Sequence, residues 1–336
     1  MKIIVEENIP FIKGVLENVG DVTYLSTPAI DADAVREADA LFVRTRNRCN
    51  AEMLEGSNVK FVATATIGLD HIDCSWCREN GIYAVNAPGC NAPAVAQYVM
   101  AAILATGLDP REVTLGVVGA GHVGKIVVAW GRSLGMEVLV NDPPRALAEG
   151  PEGFVSLDEI AERCNVVTFH TPLTKEGPFA SWHLCDMDFV SKLRRRPLLI
   201  NAARGAVCCT EALIQGLDSG VIGNVAIDCW EGEPDNISLE LMKRAAIATS
   251  HIAGYSMEGK IRATAMTLDS FTRYFGLPQL LPTVAVPAAA PEKVTEAMIR
   301  ESYDIMADDR AFRADPGGME RLRDTYALRA EPRKPE

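Results

Sequence analysis

From residue 2 to residue 250 the chain repeats one small pattern: a short apolar run, a polar stretch with helical spacing, then another apolar run. The runs "KIIV" (2–5), "VTYL" (22–25), "ALFV" (40–43), "KFVA" (60–63) and "IYAV" (82–85) recur about every 20 residues. A second series follows at "LGVVG" (115–119), "EVLVN" (137–141), "NVVTF" (165–169), "PLLIN" (197–201), "NVAID" (224–228) and "AIATS" (246–250). Runs this short read as strands, and spacers long enough to hold a helix join parallel strands rather than hairpins. The pattern therefore predicts an α/β protein with parallel sheets, and the last six strands match one doubly wound sheet.

Between the two series a longer helix is expected. Asn91 can cap it, Pro93 suits its first turn, and it runs to about Thr106. Another helical stretch covers 257–275, followed by an extended connector with prolines at 278, 282, 287 and 291. Residues 292–308 and 317–329 read as two amphipathic helices, with Val294, Met298 and Ile305 on one face and Met319, Leu322 and Tyr326 on another. Two short helices cannot bury themselves, so they must pack on the main body or on a partner subunit.

The bulk properties exclude several roles. A net charge of −12 repels phosphate backbones, so no nucleic-acid partner is expected. The longest helical apolar run, "YVMAAILA" at 98–105, is too short for a membrane span. "MKIIVEENIP" offers no signal-peptide core, and nine scattered cysteines read as reduced thiols, so a cytoplasmic location is expected.

"VVGAGHVGK" places Gly119, Gly121 and Gly124 in the G-x-G-x-x-G spacing between a strand and a helix. The first glycine permits the tight turn, the second lets backbone approach a pyrophosphate, and the third lets helix and strand pack closely. Asp142 ends the next strand, 18 positions after Gly124, where a carboxylate accepts from ribose hydroxyls and repels a 2′-phosphate. The cofactor expected is NAD. Arg145, close behind, is expected to be solvated.

"DHIDCSWC" groups His71, Asp73, Cys74 and Cys77, but one C-x-x-C without a second pair is a weak metal signature, and no metal is expected. His170 in "TFHTP" is expected to shape the cofactor pocket rather than move protons. His122 occupies a variable fingerprint position, and the sequence gives His183 no partner.

Three segments fall at the carboxyl ends of later strands, where open α/β sheets bind ligands: "NAARGAV" with Arg204, "DCWEGEP" with Asp228 and Glu233, and "SHIAGY" with His251. Arginine can fork onto a carboxylate, and histidine can take a hydroxyl proton while hydride leaves the same carbon. A neighbouring glutamate orients the ring and favours imidazolium. Arg44, Arg46 and Arg48 follow a strand, and in an extended chain all three would line one face fit for a phosphate.

These motifs resemble those of the D-2-hydroxyacid dehydrogenase family. The general match rests on the glycine fingerprint, "NAARGAV", "DCWEGEP" and "SHIAGY". A narrower match, to a branch acting on a small phosphorylated 2-hydroxy acid, rests on "FVATATIGLDHID", "APGCNAPAVAQYV", "NDPPR", "TFHTPLTKEGP" and "TSHIAGYSMEGK". The resemblance implies Arg204 and Glu233 as active-site residues and His251 as proton donor or acceptor. It implies Asp142, Thr171, Asp228 and Gly254 at NAD, and Thr45, Thr66 and Tyr255 at the substrate. The Thr45 assignment conflicts with Arg44 and Arg46 sharing a face, unless the loop turns.

The fold it implies is two doubly wound lobes: a flavodoxin-like substrate lobe (1–92 with 256–280) and a Rossmann NAD domain (93–255). A shortened C-terminal dimerisation extension (281–336) and a homodimer complete the expectation. Other dehydrogenases of 3-phosphoglycerate or hydroxypyruvate type, and an NAD-sensing interaction protein, fit the same core motifs.

Overall fold

The computed structural model describes residues 1–333. Its eleven strands are β1 (Lys2–Glu6), β2 (Asp21–Leu25), β3 (Ala40–Val43), β4 (Phe61–Thr64), β5 (Tyr83–Val85), β6 (Thr114–Val118), β7 (Glu137–Asn141), β8 (Val166–Phe169), β9 (Leu198–Asn201), β10 (Asn224–Ile227) and β11 (Ile247–Ala248). Every one coincides with an apolar run of the sequence. The chain divides into two compact units, Met1–Asn91 with Ser256–Ala289, and Ala92–Tyr255 with Ala290 onward.

The first unit holds a parallel sheet in the order β2-β1-β3-β4-β5, the flavodoxin-like arrangement. Its central strands β3 and β4 are buried along their whole length because helices cover both faces. One of those helices, Met257–Phe275, starts where Ser256 Oγ accepts from Gly259 N–H and stops at Gly276, which takes a left-handed φ of 64°. It lays Phe271 against Phe42 and Phe61, with ring centroids 5.3 and 5.5 Å apart.

The second unit holds a parallel sheet in the order β11-β10-β9-β8-β6-β7. Where a Rossmann sheet would add a strand outside β7, Val155 makes two hydrogen bonds to β7 and no strand forms. Val155 N–H reaches Val140 O at 2.8 Å, and Asn141 Nδ2 reaches Val155 O at 2.7 Å. Pro151 and two glycines at positive φ, Gly150 and Gly153, prevent a regular strand there. The helix Ala92–Ala105 is buried at every position except its last, so it is a core helix with no solvent stripe.

The C-terminal segment differs from the two expected helices. The first is broken at Tyr303, because Asp304 caps a new helix through its contacts to Met306 N–H (3.1 Å) and Ala307 N–H (3.2 Å). The helices are Glu296–Ser302, Ile305–Ala314 and Met319–Asp324. Val294, Met298, Ile299, Tyr303 and Ile305 are buried in the core that includes Tyr98 and Leu104. The segment from Ala290 to Arg333 is therefore integral to the second unit and does not form a third body. Among the described residues no helix is long and apolar enough to cross a membrane.

Candidate active site

The glycine fingerprint joins β6 to the helix His122–Ser133. Gly119 sits at φ 90°, and a Cβ there would lie 2.8 Å from the His170 carbonyl carbon. A Cβ on Gly124 would lie 2.0 Å from Gly119 O, so the helix can start here only with glycine. A Cβ on Gly121 would meet nothing within 4 Å, which leaves open space over the helix N-terminus. Asp142 faces the same loop: its carboxylate accepts from Ala120 N–H at 2.7 Å and Arg145 N–H at 3.1 Å. Thr171 Oγ1 is buried without a hydrogen-bond partner among the described residues. An open approach to a helix N-terminus, a carboxylate after the next strand and an orphan hydroxyl together fit NAD.

Arg145 is not solvated as expected. It grips Glu149 at 2.7 and 2.6 Å, Ala120 O at 3.0 Å, and stacks over Phe154. With its guanidinium engaged in this way, it braces the fingerprint loop.

His251 and Glu233 meet across the ends of β10 and β11. His251 Nδ1 lies 2.5 Å from Glu233 Oε1, while Glu233 Oε2 accepts from Trp230 N–H at 2.8 Å. The His251 side chain keeps 28% of its surface exposed, so the ring remains reachable. Its φ of 59° is left-handed, an uncommon conformation for a side chain bearing Cβ. Asp228 enforces it. One carboxylate oxygen accepts from Thr249 Oγ1 (2.6 Å) and Ile252 N–H (2.9 Å), and the other accepts from Ala253 N–H (2.9 Å).

Burial opposes a charged His251, but Cys229 and Glu233 outweigh it and hold the ring's pKa well above the usual histidine value. Cys229 is itself pushed up by burial, so at neutral pH it is a thiol and the Glu233 carboxylate supplies the charge. Burial also opposes the Glu233 charge, yet His251, Trp230 N–H and Arg323 hold it below the ordinary carboxylate range.

Arg204 stands beyond β9 in a loop pinned by Asn201, whose Nδ2 donates to Arg204 O (3.0 Å) and Gly205 O (3.2 Å). A Cβ on Gly205 would lie 2.0 Å from Trp230 O, so glycine lets this loop touch the one bearing Glu233. The loop after β9 that bears Arg204 thus packs against the loop after β10, and that loop brings Glu233 to His251 beyond β11.

Sequence reasoning missed the residue that clamps this turn from behind. Arg329, 9% exposed, donates to the carbonyls of Ile252, Ala253 and Tyr255, to Ala94 O, to Gln97 Oε1 and to Tyr326 Oη. Its guanidinium also lies 4.1 Å from the Tyr303 ring centroid. Gly254 belongs to the turn so held, which closes through Tyr255 N–H to Ile252 O at 2.8 Å. Nothing in "YALRAEP" signals this role. Thr249 links Asp228 to the Tyr98 hydroxyl (3.0 Å), and nothing in "TSHIAGYSMEGK" signals that role.

In the first unit, the segment after β3 does not stay extended. Asn47 N–H bonds to Arg44 O at 3.2 Å, and the chain turns there. The expectation that Arg44, Arg46 and Arg48 alternate onto one face therefore fails, and with it the conflict over Thr45. Arg44 Nη1 lies 3.9 Å from the buried Glu6 carboxylate, while Thr45 and Arg46 are exposed. Thr66 Oγ1 lies 2.8 Å from Thr64 Oγ1, which meets His71 Nε2 at 3.1 Å.

Other candidates resolve into packing. Asp73 caps the helix Cys74–Glu79 and Cys77 is buried; no group of residues able to hold a metal occurs among the described residues. His183 does have a partner: its Nε2 lies 2.5 Å from Glu231 Oε1, and its ring stacks on Trp182.

Comparison with known proteins identifies the family. A family model described as D-isomer specific 2-hydroxyacid dehydrogenase, NAD binding domain, matches residues 96–253. The chain is 43% identical over 339 residues to the erythronate-4-phosphate dehydrogenase of Bacteroides thetaiotaomicron, covering 98% of this chain and 97% of that one. It is 39% identical over 350 residues to the protein of the same name from Escherichia coli (strain K12), covering 98% and 92%. Among solved structures, NAD+-bound 3-phosphoglycerate dehydrogenase of Entamoeba histolytica matches with TM-score 0.69 at 25% identity, covering 82% of this chain and 95% of that one. Against the Bacteroides protein the C-terminal extension is not short, since 97% of that protein is matched.

Proposed function

The chain belongs to the D-isomer specific 2-hydroxyacid dehydrogenase family, in the branch named erythronate-4-phosphate dehydrogenase, and from that membership we infer its reaction. It oxidises 4-phospho-D-erythronate to 2-oxo-3-hydroxy-4-phosphobutanoate with NAD, a step towards pyridoxal 5′-phosphate (vitamin B6). The observation that carries the chemistry is the His251–Glu233 pair, at 2.5 Å, beside the Arg204 loop.

Arg204 forks onto the substrate carboxylate and fixes the C2 carbon. Neutral His251 takes the C2 hydroxyl proton, and Glu233 stabilises the imidazolium that forms. NAD, when bound, accepts the hydride that leaves C2. Gly119, Gly121 and Gly124 open the pyrophosphate approach, Asp142 takes the ribose hydroxyls, and Thr171 supplies its orphan hydroxyl. Asp228 and Gly254 serve the cofactor through the turn they shape.

Thr45, Thr66 and Tyr255 contact the substrate, and Arg44 and Arg46 take its phosphate. The chain acts in the cytoplasm as a homodimer. Exposed Leu281, Val284 and Val286 on the connector support self-association, which sedimentation at micromolar protein tests.

The deciding assay follows NAD reduction with 4-phosphoerythronate beside erythronate, 3-phosphoglycerate and glycerate. The highest kcat/KM on 4-phosphoerythronate is expected. A preference for 3-phosphoglycerate would replace this reading with a different substrate in the same family, and no turnover of any would favour an NAD-binding interaction protein.

A further inference from the structure

Two arginines of the C-terminal extension reach the catalytic turn, and they are used differently. Arg329 places its guanidinium nitrogens on six acceptors, so it is spent on structure. Arg323 is not spent. Its Nε donates to Tyr255 Oη at 3.3 Å and its Nη1 to Glu320 Oε1 at 2.5 Å, while its guanidinium lies 5.9 Å from the Tyr255 ring centroid. Its Nη2 makes no hydrogen bond among the described residues. The side chain is only 19% exposed.

A mostly buried guanidinium that leaves one nitrogen without an acceptor is costly unless a further acceptor meets that nitrogen. Glu320 holds one end and Tyr255 the middle, so the direction of the remaining N–H groups is set before any ligand arrives. Nε and Nη2 form one edge of the guanidinium fork, which puts Nη2 beside the Tyr255 hydroxyl. The group is also within electrostatic reach of Glu233, the partner of His251. On a chain of net charge −12, a substrate bearing a phosphate and a carboxylate needs cations placed at its own binding site.

We propose that Arg323 is a substrate ligand supplied by the C-terminal extension, its Nη2 taking an anionic oxygen of the phosphate or the carboxylate beside Tyr255. The proposal rests on the reading of the substrate as a phosphorylated 2-hydroxy acid. It gives the extension a part in specificity that its sequence did not announce.

The test uses the full-length chain with Arg323→Gln and Arg323→Lys. Steady-state constants are measured on 4-phosphoerythronate and erythronate at saturating NAD. Binding of inorganic phosphate and of oxalate to the NADH complex is measured by calorimetry. Arg323→Gln is expected to raise KM for 4-phosphoerythronate about tenfold to a hundredfold, the worth of a charged hydrogen bond, with kcat within about threefold. Arg323→Lys restores the charge without the planar fork and regains only part of the loss.

A loss confined to the phosphorylated substrate and to inorganic phosphate assigns the phosphate; losses on both substrates and on oxalate assign the carboxylate. An unchanged KM with a lowered melting temperature makes Arg323 a strut and overturns the proposal. A changed kcat and pH profile at constant KM also overturns it, showing action through Glu233. If the parent does not turn over 4-phosphoerythronate, the substrate reading fails by itself. Phosphate and oxalate then still judge Arg323, and equal binding by parent and variant rejects it. Should Arg323→Gln fail to fold, Arg323→Lys carries the same comparisons.

Discussion

Two strand ends of one sheet each carry a histidine, and the two residues titrate in opposite directions. At the end of β8, His170 lies over Thr168 Oγ1 at 3.0 Å, and burial alone pushes its pKa down to about 3. Beyond β11, burial also works against a charged His251, yet its pKa is raised because Cys229 and a carboxylate 2.5 Å from Nδ1 outweigh it. Being at a strand's carboxyl end puts a histidine near the ligand; it does not make it an acid or a base. A carboxylate within hydrogen-bond reach does that. His183 limits the rule further. It meets Glu231 at the same 2.5 Å, but Glu231 also accepts from Thr210 N–H, and the ring stacks on Trp182. That pair ties two loops together.

The largest effect expected from this contrast is at His251. His251→Asn should lower turnover by about 10²–10⁴, the usual worth of a positioned acid–base group, while leaving the dissociation constant for NAD unchanged. The fingerprint loop and Asp142 do not touch the substituted ring, which is why cofactor affinity should hold. Near-parental turnover would put His251 in the same class as His170 and remove it from the mechanism.

Glu233→Gln asks whether the carboxylate makes the difference. Turnover should fall by about ten- to a thousandfold, less than for loss of the proton carrier itself. The pH profile is the sharper readout. Oxidation needs neutral His251, and Glu233 holds the ring charged, so the parental rate should rise with pH through a midpoint above the ordinary histidine value of about 6.5. With the charge gone, burial is less strongly opposed, and the midpoint should move to lower pH. A midpoint that stays in place would mean another group sets the titration.

Why the catalytic pair was legible and its support was not follows from how each is encoded. Short apolar runs placed all eleven strands; the inner ones, such as β3, β4, β8 and β9, are buried on both faces and admit little but apolar side chains. Arg204, Glu233 and His251 sit just past three of those runs, so finding the strands located them. The turn at Arg44–Asn47 was missed because one backbone hydrogen bond decides it, with no glycine or proline to mark it. The break at Tyr303 was missed because an aspartate looks alike inside an amphipathic helix and at its cap. Arg329 is the extreme case. Its acceptors are mostly backbone carbonyls, some more than 230 positions away, and a carbonyl leaves no trace in sequence.

The smallest activity effect is expected at His170, and there stability matters more than turnover. His170→Gln should leave kcat within about threefold and the pH midpoint of oxidation unmoved, because a ring held neutral down to about pH 3 does not titrate where the enzyme turns over. Its folded pKa lies below the unfolded value of about 6.5, so between those values the unfolded chain binds the extra proton and stability falls as pH falls. His251 has the opposite sign. Its raised folded pKa gives a contribution that is complete below about 6.5 and disappears as pH rises through the folded pKa. Denaturation midpoints measured from pH 4 to 9 should therefore show a shallower acid slope in His170→Gln and an altered alkaline slope in His251→Asn. If His170→Gln leaves the acid slope as it was, the β8 histidine is not buried neutral and the contrast between the two strand ends disappears.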